Sequence, residues 1–434
     1  MISKHICIWC LLLSLVIGCT QAQTARPLPL VPLDESHSFV RYSANHLRFG
    51  SDSTLLQAFF RHWQEVAFTG KGQVNIVHIG SSHVQAGTLP NAIRRNILQA
   101  NPTLVGGRGM IFPYSAAAKC NNPADYTVHC PQRMALTRNV YKEPERQLGL
   151  CGIAVTAQDT LTYIDIVLND TDIDYATRQV ILLGEAQGLV LPYIQVGEQE
   201  LSASFIDRTN QRYIFNLPKV TDSFRLVLPC EKGESFTVTG LFLDNSKPGF
   251  TYHSIGVNGA SLNDYNLKCP NLRRDLALLH PDLVIFGIGI NDASGSNFDT
   301  AVFRQSYLTL IDSIRAVNPR CAFIFITNND SYRRVKRKTY AVNTNGPLAR
   351  AVFYRLAQET GGAVWDQFEV MGGLRSMERW RVAKLAQTDR VHFTRAGYKL
   401  IGDLFTNALF EALNACADKP KNATQHGSSP YISY

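Results

Sequence analysis

Four short polar stretches of this 434-residue chain hold the residue types that nucleophilic chemistry at a carbonyl requires. Gly80-Ser-Ser-His83 directly follows the apolar run Val74–Ile79, and a serine hydroxyl at a strand end is a candidate nucleophile once a base and an oxyanion site are supplied. Asp389-Arg-Val-His392 places a carboxylate three residues before an imidazole. In a turn or short helix the carboxylate reaches the ring and fixes its tautomer, and the ring can then take a proton from a serine. Gly287-Ile-Gly-Ile-Asn-Asp292 and Ile255-Gly-Val-Asn-Gly-Ala-Ser261 offer a carboxamide and exposed backbone N–H groups, the donors that a developing oxyanion needs. Each stretch alone has a plainer reading. Ser-Ser after a strand is commonly a turn, and Gly-x-Asn-Asp is a loop that tolerates left-handed backbone. Asp-x-x-His can be a helix cap with a surface histidine, or half of a metal site. His78, inside the apolar run, reads as a packed core histidine, and Asp292 as a brace for its loop.

Such groups need rigid elements behind them. The near-continuous Val and Ile of residues 74–79 predict a parallel strand buried on both faces, and ligands bind beyond the carboxyl ends of such strands. Ser51-Asp-Ser-Thr predicts a cap for an amphipathic helix carrying Leu55, Leu56, Phe59, Phe60, Trp63, Val66 and Ala67. A second helix is predicted over 90–100. After residue 250, helices over 271–280, 298–317, 348–360 and 395–415 alternate with strands over 283–288, 321–327 and 363–365, the pattern of an α/β domain. From about 149 to 245 the texture changes to short β-rich runs (161–168, 179–183, 191–196, 212–217, 223–228, 235–239) separated by turn residues, which predicts an inserted sandwich or jelly roll. The expected organisation is an α/β domain in two parts, 50–148 and 246–417, flanking an all-β insert over 149–245. Residues 25–50, with Pro27, Pro29 and Pro32, read as a linker, residues 105–114 as a glycine-rich loop near a sheet edge, and residues 418–434 as a disordered tail.

Composition narrows the partners. The net charge of +8 is mild, and the basic run Arg333-Arg-Val-Lys-Arg-Lys338 is short and interrupted, a solvated face rather than a nucleic-acid patch. No P-loop, dinucleotide fingerprint or zinc-type spacing occurs, so no cofactor or metal is implied. Lys4 precedes an apolar run from Ile6 to Ile17, too short to span a bilayer, and residues 1–24 read as an export signal. Thr20-Gln-Ala22 suits an ordinary signal peptidase, whereas Val16-Ile-Gly-Cys19 resembles a bacterial lipobox in which Cys19 would be lipidated and tether the protein to a membrane. Seven cysteines lie beyond Cys19, and Cys120 and Cys130, flanking a Pro/Asn-rich loop, are the expected bridge. Cys321, opening an apolar strand, reads as a small buried hydrophobe.

In this order and at these elements, the four polar stretches resemble the conserved blocks of the SGNH (GDSL-like) hydrolase family, over roughly residues 70–125 and 250–415. The resemblance implies a flavodoxin-like three-layer α/β/α domain with a parallel sheet. It also implies an esterase in which Ser82 is the nucleophile, His392 the base and Asp389 its orienter, with an oxyanion hole built from the Ser82 and Gly259 backbone N–H groups and the Asn291 side chain. The chain departs from the family's Gly-Asp-Ser at Ser81, which leaves two adjacent serines; alignment on Gly80 selects Ser82. The long β-rich stretch between Ser82 and Gly259 resembles the layout of Gram-negative peptidoglycan O-acetylesterases, which remove acetyl from the C6 hydroxyl of N-acetylmuramic acid. That layout implies an O-acetylated glycan as partner and a periplasmic or outer-membrane-anchored location. Some plant-polysaccharide (xylan or xyloglucan) acetylesterases share it. An O-acetyltransferase would use the same acetyl-enzyme, and Ser81 raises a non-enzyme alternative, a glycan-binding protein with an inactive site.

Overall fold

The computed structural model describes residues 27–117, 120, 122–169, 173, 175–337 and 339–417. The expected export signal with Cys19 and the expected tail lie outside the described residues. Among those residues no helix is long and apolar enough to cross a membrane.

One six-stranded sheet runs in the order Leu47–Phe49, Ala363–Trp365, Ala322–Ile326, Leu283–Gly287, Gln73–Gly80, Gly249–Gly256. The last five strands are parallel and the first is antiparallel to its neighbour. Numbered by appearance in the chain, the parallel strands lie 2-1-3-4-5, the flavodoxin-like order. The central strands are mostly apolar because helices cover both faces: Val74, Ile76, Val77, Ile79, Leu283 to Phe286 and Ala322 to Ile326 are all buried, with His78 the buried polar exception. Helices Thr54–Thr69, Thr88–Ala100 and Arg395–Ala417 pack with one another as one group, and Leu272–Leu279, Thr300–Arg315 and Asn345–Thr360 as a second. The Trp63 ring packs 4.4 Å from that of Phe250 and, edge-on, 6.5 Å from that of Phe410, joining the first group to the sheet edge.

Two antiparallel sheets make the all-β part. One orders Gln199–Ser202, Tyr193–Val196, Ser223–Pro229, Leu161–Leu168 and Tyr126–His129; the other orders Phe205–Asp207, Arg212–Thr221, Thr177–Gln187, Ser235–Asp244, Ile153–Gln158 and Ala135–Arg138. Alternation along Leu161–Leu168 buries Thr162, Ile164, Ile166 and Leu168 and leaves the residues between them more exposed, as a sandwich demands. These sheets begin well before the expected boundary at 149. Gly109–Ile111, Tyr126–His129 and Ala135–Arg138 all hydrogen-bond into them. Strands of three or four residues show too little alternation to be read locally, and pairing with longer partners holds them.

Three further expectations change. The strand Gly249–Gly256 was not anticipated, because Thr251, His253 and Ser254 break its apolar pattern. His253 is nonetheless buried, its Nδ1 accepting the Met110 N–H at 3.0 Å. The glycine-rich loop makes this approach possible, for a Cβ at Gly109 (φ +78°) would lie 2.6 Å from that nitrogen. Residues 27–50 are not a free linker. Leu28 and Val31 each exchange two backbone hydrogen bonds with a side-chain carboxamide, Asn414 and Asn407, on the last helix (2.7–3.0 Å). Cys120 and Cys130 are separate thiols, with Cys130 Sγ donating to the Gln132 carbonyl at 2.7 Å, so the expected bridge is not formed. Cys321 is buried.

Candidate active site

The strand Gln73–Gly80 ends where the chain folds back over itself. A Cβ at Gly80 would lie 2.2 Å from Val84 Cγ2, so only glycine lets the helical turn Ser82–Gln85 start this close to the strand. Ser82 opens that turn, where a backbone N–H has no helical acceptor. Its Oγ is 2.7 Å from His392 Nε2, and His392 Nδ1 is 2.7 Å from Asp389 Oδ2. Asp389 Oδ1 accepts the N–H groups of Val391 (2.9 Å) and His392 (3.0 Å). Arg390, at φ +58°, supplies the left-handed kink that wraps the chain around this carboxylate. Burial pushes the Asp389 carboxyl up, but the His392 ring and the two backbone donors outweigh it and hold the group at about 2. An ionised carboxylate on Nδ1 keeps that nitrogen protonated and leaves Nε2 free to accept the Ser82 proton.

Of the two adjacent serines, only Ser82 reaches the imidazole. Ser81 Oγ is buried and finds no hydrogen-bond partner among the described residues. His83 lies beneath the base. It is buried, its Nδ1 is 2.8 Å from the Tyr398 hydroxyl, and its ring centroid is 5.2 Å from that of His392. Burial, with His392 beside it, lowers its pKa to about 3, so it packs as a neutral ring. His78 is a core residue, 2.8 Å from the Tyr252 hydroxyl and held neutral by burial at about 3.

The remaining expected donors sit across from Ser82. Gly259, at φ +85°, is the third residue of a turn closed by the Ala260 N–H to the Val257 carbonyl at 3.0 Å, a position that favours glycine. The turn is tied to the serine turn because the Asn258 N–H donates to Gln85 Oε1 at 2.6 Å. Asn291 Nδ2 donates to the Ala260 carbonyl at 2.9 Å; an amide nitrogen carries two donors, so one remains for a substrate oxygen. Asp292 Oδ1 accepts the Leu262 N–H at 3.1 Å, while Oδ2 is buried without a partner among the described residues. Burial raises this carboxyl to about 6. Its folded pKa lies above its ordinary value, so folding stability declines as pH rises from about 4 through 6. Asp292→Asn should remove that decline, a comparison read from thermal midpoints across the same pH range.

Gln85, Arg138 and Tyr398 carry no local sequence signal. Arg138, at the end of the sandwich strand Ala135–Arg138, donates from its guanidinium to the Asn258 carbonyl. A Cβ placed on Gly259 would lie 4.0 Å from Val140 Cγ1, and Lys268 Nζ donates to the Tyr141 carbonyl at 2.8 Å. The β-sandwich thus forms one wall of the site and braces the turn that carries Gly259. Arg138→Ala should lower kcat on a small ester with KM nearly unchanged, by less than the ~10²–10³ that follows outright loss of one oxyanion donor. A KM effect alone would place Arg138 in substrate binding instead. Among the described residues no group of three His, Cys, Asp or Glu side chains gathers as a metal site.

Residues 241–400, which include Gly259, Asn291, Asp389 and His392, match the GDSL-like Lipase/Acylhydrolase family. Comparison with curated proteins gives no match. Among solved structures the chain is similar to a peptidoglycan O-acetylesterase, with a TM-score of 0.70 and 21% identity over 85% of this chain and 99% of that one. At that identity the likeness is one of fold, and its extent takes in sheet and sandwich together. Weaker likenesses join it to a family two carbohydrate esterase from Cellvibrio japonicus (TM-score 0.27, 10% identity, 67% of this chain and 99% of that one). Another is to a GDSL-like lipase from Bacteroides thetaiotaomicron VPI-5482 (TM-score 0.29, 17% identity, 37% of this chain and 76% of that one). With its serine turn, base loop and donor turns at the carboxyl edge of a flavodoxin-order sheet, and with residues 241–400 matching that model, the chain is similar to the GDSL-like lipase/acylhydrolase family and is a carboxylic ester hydrolase.

Proposed function

We propose that this hydrolase removes O-acetyl groups from a glycan, with the C6 O-acetyl of N-acetylmuramic acid in peptidoglycan as its substrate. The observation that carries the chemistry is the relay Ser82 Oγ–His392–Asp389, 2.7 Å at each step. His392 Nε2 takes the hydroxyl proton as Ser82 Oγ bonds to the acetyl carbon. The oxyanion is held by the Ser82 and Gly259 N–H groups and the Asn291 carboxamide. His392 returns the proton to the departing sugar hydroxyl, and water, activated by the same ring, releases acetate from Ser82. Asp389 stays ionised and steadies the imidazolium. The fold likeness to a peptidoglycan O-acetylesterase, over 85% of this chain, supports the choice of polymer. An export signal at residues 1–24, with or without lipidation of Cys19, would bring the enzyme to that polymer.

The test is acetate release from O-acetylated peptidoglycan and from acetylated xylan. Release from peptidoglycan is expected; release from xylan alone would move the enzyme to polysaccharide utilisation. Adding acceptor sugar separates hydrolase from transferase, because a transferase forms acetylated acceptor at the expense of free acetate.

A further inference from the structure

The basic run reads from sequence as a solvated face, yet the structure roots it in the catalytic edge of the sheet. Tyr332–Lys336 and Thr339–Val342 form a two-stranded antiparallel hairpin. It follows the carboxyl end of the strand Ala322–Ile326, on the side where α/β sheets bind ligands. Its first leg is fixed to the base loop. The Tyr332 N–H donates to the Arg390 carbonyl at 3.0 Å, and Asn329 Nδ2, just ahead of the hairpin, donates to the Val391 carbonyl at 3.1 Å. The Arg390 guanidinium lies over the rings of Tyr340 (4.5 Å) and Tyr332 (5.9 Å). Arg390 and Val391 are the two residues between Asp389 and His392.

The second leg runs into the loop of Asn291. Asn343 Nδ2 and Asn345 Nδ2 donate to the Ala293 carbonyl at 3.1 and 3.0 Å, and Asn345 Nδ2 also to the Gly295 carbonyl at 2.7 Å. The hairpin is therefore clamped between the loop carrying the base and the loop carrying an oxyanion donor.

Arg333, Arg334, Lys336 and Arg337 sit on this hairpin, and among the described residues none of them forms an ion pair. The nearby acid Glu378 is already taken by Arg381 and Arg390. Arg334, Lys336 and Arg337 are exposed, and Arg333 Nε is buried without a hydrogen-bond partner. A five-residue strand reaches about 16 Å, so all four cations stand within roughly two Debye lengths of the base loop at physiological salt. Like charges this close repel one another, and an anion would relieve them.

We propose that the hairpin docks the carboxylates of an acidic peptide attached to the glycan, beside the sugar whose acetyl ester lies at Ser82. This rests on the peptidoglycan reading of the site and deepens it: a neutral polysaccharide gives the hairpin nothing to bind. Charge recognition at a rim acts chiefly on association and is weakened by salt.

The test compares wild type with Arg334→Gln/Lys336→Gln/Arg337→Gln, whose three side chains face solvent and touch no catalytic group. Pelleting with peptide-bearing peptidoglycan and with the same glycan stripped of peptide by an amidase reads binding. Acetate release from each reads catalysis, and p-nitrophenyl acetate reads the bare site. Wild type should bind the peptide-bearing polymer about tenfold more tightly than the variant at low salt, converging at high salt. The two should bind stripped glycan alike and hydrolyse p-nitrophenyl acetate alike. Equal binding of both proteins to the peptide-bearing polymer overturns the proposal. So does wild-type binding that ignores removal of the peptide, or duplex DNA retained more tightly than the acidic polymer. If p-nitrophenyl acetate is cleaved but no acetate leaves peptidoglycan, the substrate reading fails while pelleting still decides the hairpin.

Discussion

Ser82→Ala should lower kcat by roughly 10⁶ while Ser81→Ala leaves it near the wild-type rate. The two hydroxyls are one residue apart, yet their surroundings are opposite. Ser82 Oγ is 2.7 Å from the His392 imidazole, which Asp389 braces. Ser81 Oγ is buried with no partner among the described residues. Removing Ser82 Oγ removes the atom that bonds to the acyl carbon, leaving only what oxyanion donors and binding can do for water. Removing Ser81 Oγ deletes an unsatisfied buried hydroxyl, whose desolvation costs about 1–3 kcal/mol, so that variant should melt at a temperature equal to or above wild type. Turnover of p-nitrophenyl acetate with melting curves on both variants decides it. Mass spectrometry of wild type mixed rapidly with substrate should find one added acetyl group on the peptide containing Ser82. A loss of turnover confined to Ser81→Ala would reverse the assignment.

Asp389→Asn should lower kcat by ~10⁴ with the fold intact. A carboxamide can still accept the Val391 and His392 backbone N–H groups through its oxygen, so the loop keeps its shape. Its nitrogen, facing His392 Nδ1, is a donor. The ring must then carry its proton on Nε2, where it can no longer accept one from Ser82. The carboxyl is held at about 2 against an ordinary value of 3.8. Sign and window follow: the stabilising interaction is present above the ordinary value and is lost only as pH falls toward 2. Wild type should thus keep its advantage in kcat/KM over the variant from about pH 5 to 8. A ratio that collapses toward unity within that window would mean that Asp389 is being protonated there, which the observed hydrogen bonds oppose.

How much of this was readable in the sequence depends on where each signal lies. Ser82 and Asn291 stand out because polar residues interrupt apolar runs where a strand must end, and Asp389 and His392 because a carboxylate precedes an imidazole by three residues in the loop before the last helix; the structure brings all four to one edge. Burial on both faces writes itself into strands 283–287 and 322–326 as unbroken hydrophobicity, and into 73–80 as a Val and Ile run interrupted only at Asn75 and His78. Gly249–Gly256 hides for the converse reason. It holds buried threonine and histidine whose partners, such as the Met110 N–H, lie far off in the chain. The strap of residues 27–50 is held by carboxamides of Asn407 and Asn414, and no periodicity announces a segment secured through side chains of a distant helix. Arg138 is silent for a third reason. Its role exists only where the sandwich meets the Gly259 turn, and nothing in its own four-residue strand, where it is half-buried, announces that contact.

The distance in sequence between Ser82 and His392 has a temporal meaning. They are 310 residues apart, and ribosomes add roughly 5–20 residues per second, so the nucleophile precedes its base by roughly 15 to 60 s. Both neighbours of the strand that leads into Ser82, Gly249–Gly256 and Leu283–Gly287, also come late. The whole β-sandwich is made while that serine has neither sheet partners nor imidazole. During its own synthesis the chain is a latent hydrolase, and its power to cleave esters arrives all at once, with the last loop and the helix that follows it.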